Sequence, residues 1–435
     1  MRLGLLQHRA KFYLMLIFLS QFGIIAAGQS GAGDNPETII VNHVMRVSAV
    51  ILVTFFLALE IANRKLPNKL NLGTLWPLAF LYLYFMISFM LAEGRSNFND
   101  QLLVVYRSYE WMLCIFLVSL SFPNGDIELV TKKIIDYIKL TIKITIVMVA
   151  IYMIFIPDTI YVAREFRSQI GGVAIHANRL SLLCDLGILV FGIYRKNPYD
   201  YLWLILCIAL TVFTQSRVGI LMGVISLYVV FLYKFRAINR IGLSILAVVT
   251  GLAIAILILD WFLAGDISQY GQFAQLSTLN SRTEVWSISL SMIGASPLFG
   301  WGYIYGPKQI GSFMSGAWYA TNAQNDILSA LVSGGVLGLF VLGLFYSKLL
   351  STLYKAKKAP GGVFCVVAIL LYFITSSFEP FFVHYTVQTS IVMIVIIRFI
   401  DLRSRSGRPM AGSGNDTHQR YSAAHLGSAK ADQYT

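Results

Sequence analysis

The chain has 435 residues, 57% of them hydrophobic, 14% aromatic and only 13% charged, with a mean hydropathy of +0.69. A soluble domain carries about a quarter charged residues, so a soluble globular protein is excluded. The net charge of +13 does not indicate a nucleic-acid partner, because Lys and Arg fall in short alternate loops rather than on one face, the positive-inside pattern of a membrane protein.

About twelve apolar stretches predict an all-α integral membrane protein. They cover roughly residues 12–28, 41–62, 73–92, 102–121, 134–156, 171–194, 199–215, 218–234, 241–263, 325–346, 362–378 and 381–399. Basic clusters, among them Arg64/Lys65/Lys69, Lys132/Lys133, Arg195/Lys196, Lys355/Lys357/Lys358 and Arg398/Arg403/Arg405, occupy every second loop, which puts both termini in the cytoplasm. The first span reads as a retained helix, not a cleaved signal. Residues 1–403 form one transmembrane domain, and the Gly- and Ser-rich residues 404–435 form a cytoplasmic tail of disordered composition. Four cysteines, Cys114, Cys184, Cys207 and Cys365, lie in apolar runs without paired spacing, so neither a disulfide framework nor a metal site is suggested.

Polar groups inside or beside a span cost free energy unless paired or wet, which makes them the first functional candidates. Arg107 and Glu110 stand three apart and are expected to pair. Lys139 and Lys143, near a cytoplasmic end, are expected to snorkel. Arg164, Glu165 and Arg167 precede the sixth span in an external loop. They read as interfacial anchors or as part of an anion site. His176 and Arg179 share one face at the start of that span. Next comes Thr214-Gln215-Ser216-Arg217-Val218-Gly219 at an external junction of two spans. Arg217 is either a snorkelling arginine or a fixed cation for a lipid-linked phosphate, whose oxygens suit a guanidinium fork.

The long external loop, residues 264–324 between the ninth and tenth spans, has few charges, many aromatics and repeated glycine, and is expected to contain short helices. Ser281-Arg282-Thr283-Glu284 is a capping-box pattern, predicting a helix through Val285, Trp286, Ile288 and Leu290 to Ile293. Arg282 then lies in a first turn, where free amides also favour an anion. Ser296-Pro297 stops the helix, and Pro297-Leu298-Phe299-Gly300-Trp301-Gly302 reads as a tight turn. Trp286, Trp301 and Trp318 are candidates for stacking on sugar rings. Trp318, like Trp76, Trp203 and Trp261, also suits an ordinary interfacial belt. Glu379-Pro380 reads as a short external turn, and the acidic pair Asp34 and Glu37 as an unspecific feature of the first external loop.

The TQSRVG segment, the SRTEVW segment followed by SPLFGWG, and the closing run Gln324-Asn325-Asp326-Ile327-Leu328 through Gly334-Gly335-Val336-Leu337-Gly338-Leu339 resemble the O-antigen ligase and polymerase superfamily of bacterial surface-polysaccharide assembly. The resemblance spans about residues 165–345. It implies a GT-C-like helical fold and, with no cofactor or metal, transfer of a glycan from undecaprenyl diphosphate to an acceptor hydroxyl with inversion. It also implies that Arg217 and Arg282 hold the diphosphate, while Gln324, Asn325 and Asp326 face the acceptor. Ligases of the family carry His where this chain has Gln324, and glutamine takes no proton at neutral pH. Asp326 and His176 are the alternatives for that task.

The combined reading is a polymerase in the bacterial inner membrane with a periplasmic site. Arg217, Arg282, Gln324, Asp326 and His176 are the catalytic candidates, and Arg164, Arg167, Arg179, Asn325, Trp286, Trp301 and Trp318 the substrate-binding ones. Expected partners are the lipid-linked oligosaccharide, the bilayer, a chain-length regulator and a flippase. An O-antigen ligase acting on lipid A core and a lipid-linked glycan transporter are the alternatives.

Overall fold

A computed structural model of the chain describes residues 2–22, 36–63, 72–91, 98–155, 161–164, 167–170, 177–234, 282–313, 323, 325–359, 361–377, 382–383 and 388–406. The helices are α1 (Arg2–Ser20), α2 (Pro36–Asn63), α3 (Trp76–Leu91, preceded by a 3-10 turn, Gly73–Leu75), α4 (Phe98–Ser121), α5 (Ile127–Phe155), α6 (Ala177–Ile193), α7 (Tyr199–Phe213), α8 (Arg217–Lys234), α9 (Arg282–Ala295), α10 (Tyr305–Phe313), α11 (Asp326–Ala356), α12 (Gly362–Ser376) and α13 (Gln388–Ser406). Among the described residues, four segments, Val44–Asn63, Gln101–Ser121, Ile127–Phe155 and Asp326–Ala356, are long and apolar enough to cross a membrane, and four shorter helices are apolar as well. Outward-facing Ile51, Leu52, Phe55, Phe56 and Leu59 on α2 are exposed, which suits lipid and would be an aggregation hazard in water. Eleven of the expected spans overlap a helix here; the ninth, residues 241–263, lies outside the described residues, as does the expected tail beyond 406, whose first residues, 404–406, instead end α13.

Helix α13 is the axis of the bundle. Residues 389–400 are buried on every side, as expected of a helix that is apolar all round, and α4, α5, α6, α11 and α12 pack around it. At its C-terminal end, Arg398 is buried and bonds Asp401 Oδ2 at 2.8 Å, the Phe122 carbonyl at 2.9 Å and Asn124 Oδ1 at 3.1 Å. Thr74 donates to Asp401 Oδ1 at 3.1 Å and meets Thr352 at 3.0 Å. Arg398 is therefore an internal tie between helix ends, not a loop charge.

Two expectations about charges separate here. Arg107 Nη1 bonds Glu110 Oε2 at 2.7 Å in a buried pair, joined by Gln21 Nε2 to Glu110 Oε1 at 2.7 Å. Lys139 does not snorkel. Its Nζ lies 2.7 Å from Asp200 Oδ2 and 2.6 Å from the Tyr194 carbonyl, because α5, α6 and α7 meet there and supply a partner 61 residues away.

The structure departs from an all-helical reading at residues 161–170. Tyr161–Arg164 (β1) and Arg167–Ile170 (β2) pair antiparallel, with Arg164 opposite Arg167. β-Branched and aromatic residues at Tyr161, Val162 and Ile170 suit extended backbone.

Helix α11 is two limbs, not one rod. Gly335 has φ 61° and ψ −159°, a conformation open to glycine, and the limbs 326–334 and 336–356 fold toward each other. Twenty residues of straight helix would put the Cα atoms of 326 and 346 roughly 30 Å apart, yet Tyr346 Oη lies 3.3 Å from Asp326 Oδ2.

Candidate functional site

The turn between α7 and α8 is built almost entirely from the TQSRVG motif. Thr214 Oγ1 donates to the Thr211 carbonyl at 2.7 Å and accepts the Ser216 amide at 3.4 Å. Gln215 takes φ 48°, an uncommon conformation for a residue with a side chain, and this reverses the chain within three residues. Ser216 then caps α8: its Oγ accepts the Gly219 amide at 3.1 Å, and its hydroxyl donates to Asn178 Oδ1 at 2.8 Å on α6. Such a cap is worth about 1 kcal/mol. A β-carbon on Gly219 would stand 2.3 Å from Ser181 Cβ, so glycine lets α6 and α8 touch. Arg217 is the first residue of α8, where free amides and the positive helix end favour anions.

The second motif group is assembled around the break in α11. The amides freed at the start of the second limb donate to the SPLFGWG turn, Val336 to the Pro297 carbonyl at 2.8 Å and Leu337 to Leu298 at 3.4 Å. The carbonyls freed at the end of the first limb accept from the same turn, Val332 from the Trp301 amide at 2.7 Å and Ser333 from Gly302 at 3.0 Å. Both orphan helix ends are thus satisfied by one loop, which explains why the two motifs need each other. Helix α9, opened by Arg282, rests on this unit through Val285, Met292, Ile310, Ala323 and Val332, with Trp286 and Trp301 packed against them. Trp301 Nε1 donates to the Met292 carbonyl at 2.6 Å. Ile304, buried at φ 70°, is a backbone outlier for a β-branched residue.

At the N-terminus of α11, Asn325 Oδ1 caps the amides of Ile327 and Leu328 at 2.8 and 3.1 Å, and its Nδ2 donates to the Ser377 carbonyl at 3.2 Å. Asp326 is buried. Its Oδ2 accepts from Tyr372 at 2.8 Å and Tyr346 at 3.3 Å, and the two hydroxyls lie 3.0 Å apart.

Residues 202–343 match the family model described as O-antigen ligase. The chain carries an O-antigen ligase domain. No curated protein matches the chain. The match, about a third of the chain, holds the TQSRVG, SRTEVW, SPLFGWG and QNDIL-to-GGVLGL segments in one continuous stretch, and together with the apolar helices it supports a membrane enzyme of the O-antigen ligase and polymerase type.

Among the expected site residues of this O-antigen ligase domain and its flanks, the fold brings the start of α6 to the start of α8: Asn178 is bonded to Ser216, beside Arg217. Arg179 is half-buried, and its carbonyl accepts the Thr389 hydroxyl of α13 at 3.3 Å. Asn325 and Asp326 lie at the other motif group and point to Ser377 and Tyr372. Arg164 and Arg167 are strand residues facing each other in register. Their side chains, and those of Arg217 and Arg282, lie outside the described residues, as do His176, Trp318, Gln324 and Glu379. Three polar residues escaped the sequence reading. Tyr346 and Tyr372 look like any span aromatic. Asp185 is an acidic residue in mid-helix and carried the signal that an intramembrane carboxyl always gives.

Proposed function

We propose that this protein is a polymerase of bacterial surface polysaccharide. It transfers a glycan from its undecaprenyl diphosphate carrier onto the terminal sugar of another lipid-linked repeat, at the periplasmic face of the inner membrane. The observation that carries the reading is that both motif arginines of the O-antigen ligase domain, Arg217 and Arg282, are the first residues of helices. Each joins a guanidinium to a positive helix end, a pairing suited to a diphosphate. As the acceptor oxygen bonds to the anomeric carbon, the bond to the diphosphate breaks and negative charge grows on the departing oxygens, where preorganised cations stabilise it. The acceptor proton passes to His176, which precedes α6 by one residue and Asn178 by two. Asp326, enclosed by two tyrosines, is the poorer base. Gln324 orients the acceptor, and Arg164, Arg167 and Arg179 extend the anionic subsite.

The same reading carries about twelve spans in a GT-C-like arrangement, a single transmembrane domain over residues 1–403, a periplasmic loop over 264–324 and cytoplasmic termini. A chain-length regulator and a flippase are its natural partners. The family description, O-antigen ligase, favours a second reading in which lipid A core is the acceptor.

The deciding experiment offers the purified protein a lipid-diphosphate glycan with either a second lipid-linked repeat or lipid A core. New glycosidic bonds to the repeat support polymerisation, and transfer to lipid A core alone selects the ligase. In cells, Arg217→Lys and Arg282→Ala are each expected to abolish polymer while single-repeat carrier accumulates, because lysine lacks the bidentate fork. Normal polymer from both variants overturns the donor site.

A further inference from the structure

Asp185 lies in the middle of α6, roughly 12 Å along the helix from its start, and is completely buried. Its Oδ1 accepts the hydroxyl of Thr211 on α7 at 3.1 Å, while Oδ2 has no hydrogen-bond partner among the described residues. Helix α8 passes close by: a β-carbon on Gly223 would stand 3.0 Å from Thr211 Cγ2 and 3.2 Å from Asp185 Oδ1. Three helices therefore converge on one carboxyl inside the membrane, where such a group is costly and is kept for a reason.

What that carboxyl holds is the root of the TQSR turn. From Asp185 the bonds run without a gap. Thr211 donates to the carboxyl, the Thr211 carbonyl accepts Thr214 Oγ1 at 2.7 Å, and Thr214 Oγ1 accepts the Ser216 amide at 3.4 Å. Ser216 closes the loop back to α6 through Asn178, whose carbonyl also takes the Ser181 hydroxyl at 2.9 Å. One face of α6, bearing Asn178, Ser181 and Asp185, thus grips the last turn of α7 and the first turn of α8 at both ends.

We propose that Asp185 is a positioning residue for the transfer reaction: by accepting the Thr211 hydroxyl it fixes the turn Thr214–Ser216 and so the point from which Arg217 opens α8. The proposal rests on Arg217 belonging to the donor site. The carboxyl never touches substrate. It acts by holding the turn against α6, and an amide oxygen at the same place accepts the same hydroxyl.

The test uses the full chain in lipid nanodiscs with a lipid-diphosphate glycan as donor and a lipid-linked repeat as acceptor. The variants are Asp185→Leu, Asp185→Asn and Thr211→Val, with Arg217→Lys alongside. Loss of the buried hydrogen bond in Asp185→Leu or Thr211→Val should raise the donor KM about tenfold and leave the acceptor KM within about twofold. Asp185→Asn should restore the donor KM. If Asp185→Leu fails to fold, the isosteric Thr211→Val carries the result. A wild-type donor KM in Thr211→Val, or a fall in apparent kcat with both KM values unchanged, as partial unfolding gives, overturns the proposal. So does an Asp185→Asn variant as impaired as Asp185→Leu. Full activity in Arg217→Lys instead removes the donor site itself, whereas an inactive Arg217→Lys beside a normal Thr211→Val removes only the role of Asp185.

Discussion

Gly300 and Gly335 face each other so closely that a β-carbon on Gly300 would stand 2.6 Å from the Gly335 amide nitrogen, and one on Gly335 would stand 2.3 Å from the Leu298 carbonyl carbon. Both have positive φ, 70° and 61°. The contact is backbone against backbone, so nothing flexible can yield. Gly300→Ala and Gly335→Ala should each cost about 3 kcal/mol through overpacking and a disfavoured φ. Gly294→Ala, where a β-carbon meets nothing within 4 Å, should leave stability unchanged or slightly higher. Thermal melting of the three detergent-solubilised variants checks this, and equal melting temperatures would mean the SPLFGWG turn does not seat in the α11 break.

The contact between Gly219 and Ser181 offers a size-swap test. Gly219→Ala drives a β-carbon to within 2.3 Å of Ser181 Cβ and should separate α6 from α8, costing about 1–3 kcal/mol and loosening the Ser216–Asn178 bond. Ser181→Gly in the same chain reopens the space. Recovery of the double variant toward wild-type stability is expected from the coupling of touching residues, and simple additivity of the two losses would refute the packing.

How far the sequence alone reaches is clear from these elements. The apolar helices were legible because a long apolar run has few other uses, and four of them, Val44–Asn63, Gln101–Ser121, Ile127–Phe155 and Asp326–Ala356, are long enough to cross a membrane; α9 was legible in its Arg282-to-Ile293 pattern and its Pro297 stop. Composition cannot show a backbone angle, so the tenth span read as an unbroken helix until Gly335 revealed two limbs. Residues 161–164 and 167–170 are too short to announce a hairpin against the surrounding helices. In the candidate site, Ser216 and Arg217 could be picked by motif. Their tie to Asn178, 38 residues back, and the tyrosine partners of Asp326 depend on tertiary packing that no local spacing encodes.

The Asp326 network should behave as one unit. Tyr372 is the stronger donor at 2.8 Å and Tyr346 the weaker at 3.3 Å, so Tyr372→Phe should lower stability by about 1–3 kcal/mol and Tyr346→Phe by less. Because the hydroxyls also contact each other, the double variant should lose less than the sum of the two. Chemical or thermal unfolding of the four proteins measures this cycle, and strict additivity would show that the hydroxyls act independently.

The last expectation concerns Lys139 and Asp200, which turn a positively charged rim residue into a buried tie. Asp200 Oδ2 also accepts the Lys196 amide at 2.8 Å, so the carboxylate fastens the α6–α7 connection to α5. Removing one partner of a buried pair leaves the other uncompensated and costs about 3–5 kcal/mol. Asp200→Ala removes both the partner of Lys139 and the acceptor of the Lys196 amide, so it should reduce the folded protein recovered from membranes more than Lys139→Met, which leaves Asp200 its amide donor. If Lys139 were merely snorkelling, Lys139→Met would be silent while Asp200→Ala still lost its amide bonds, and comparing the melting temperatures of the two variants with the wild type decides between these cases.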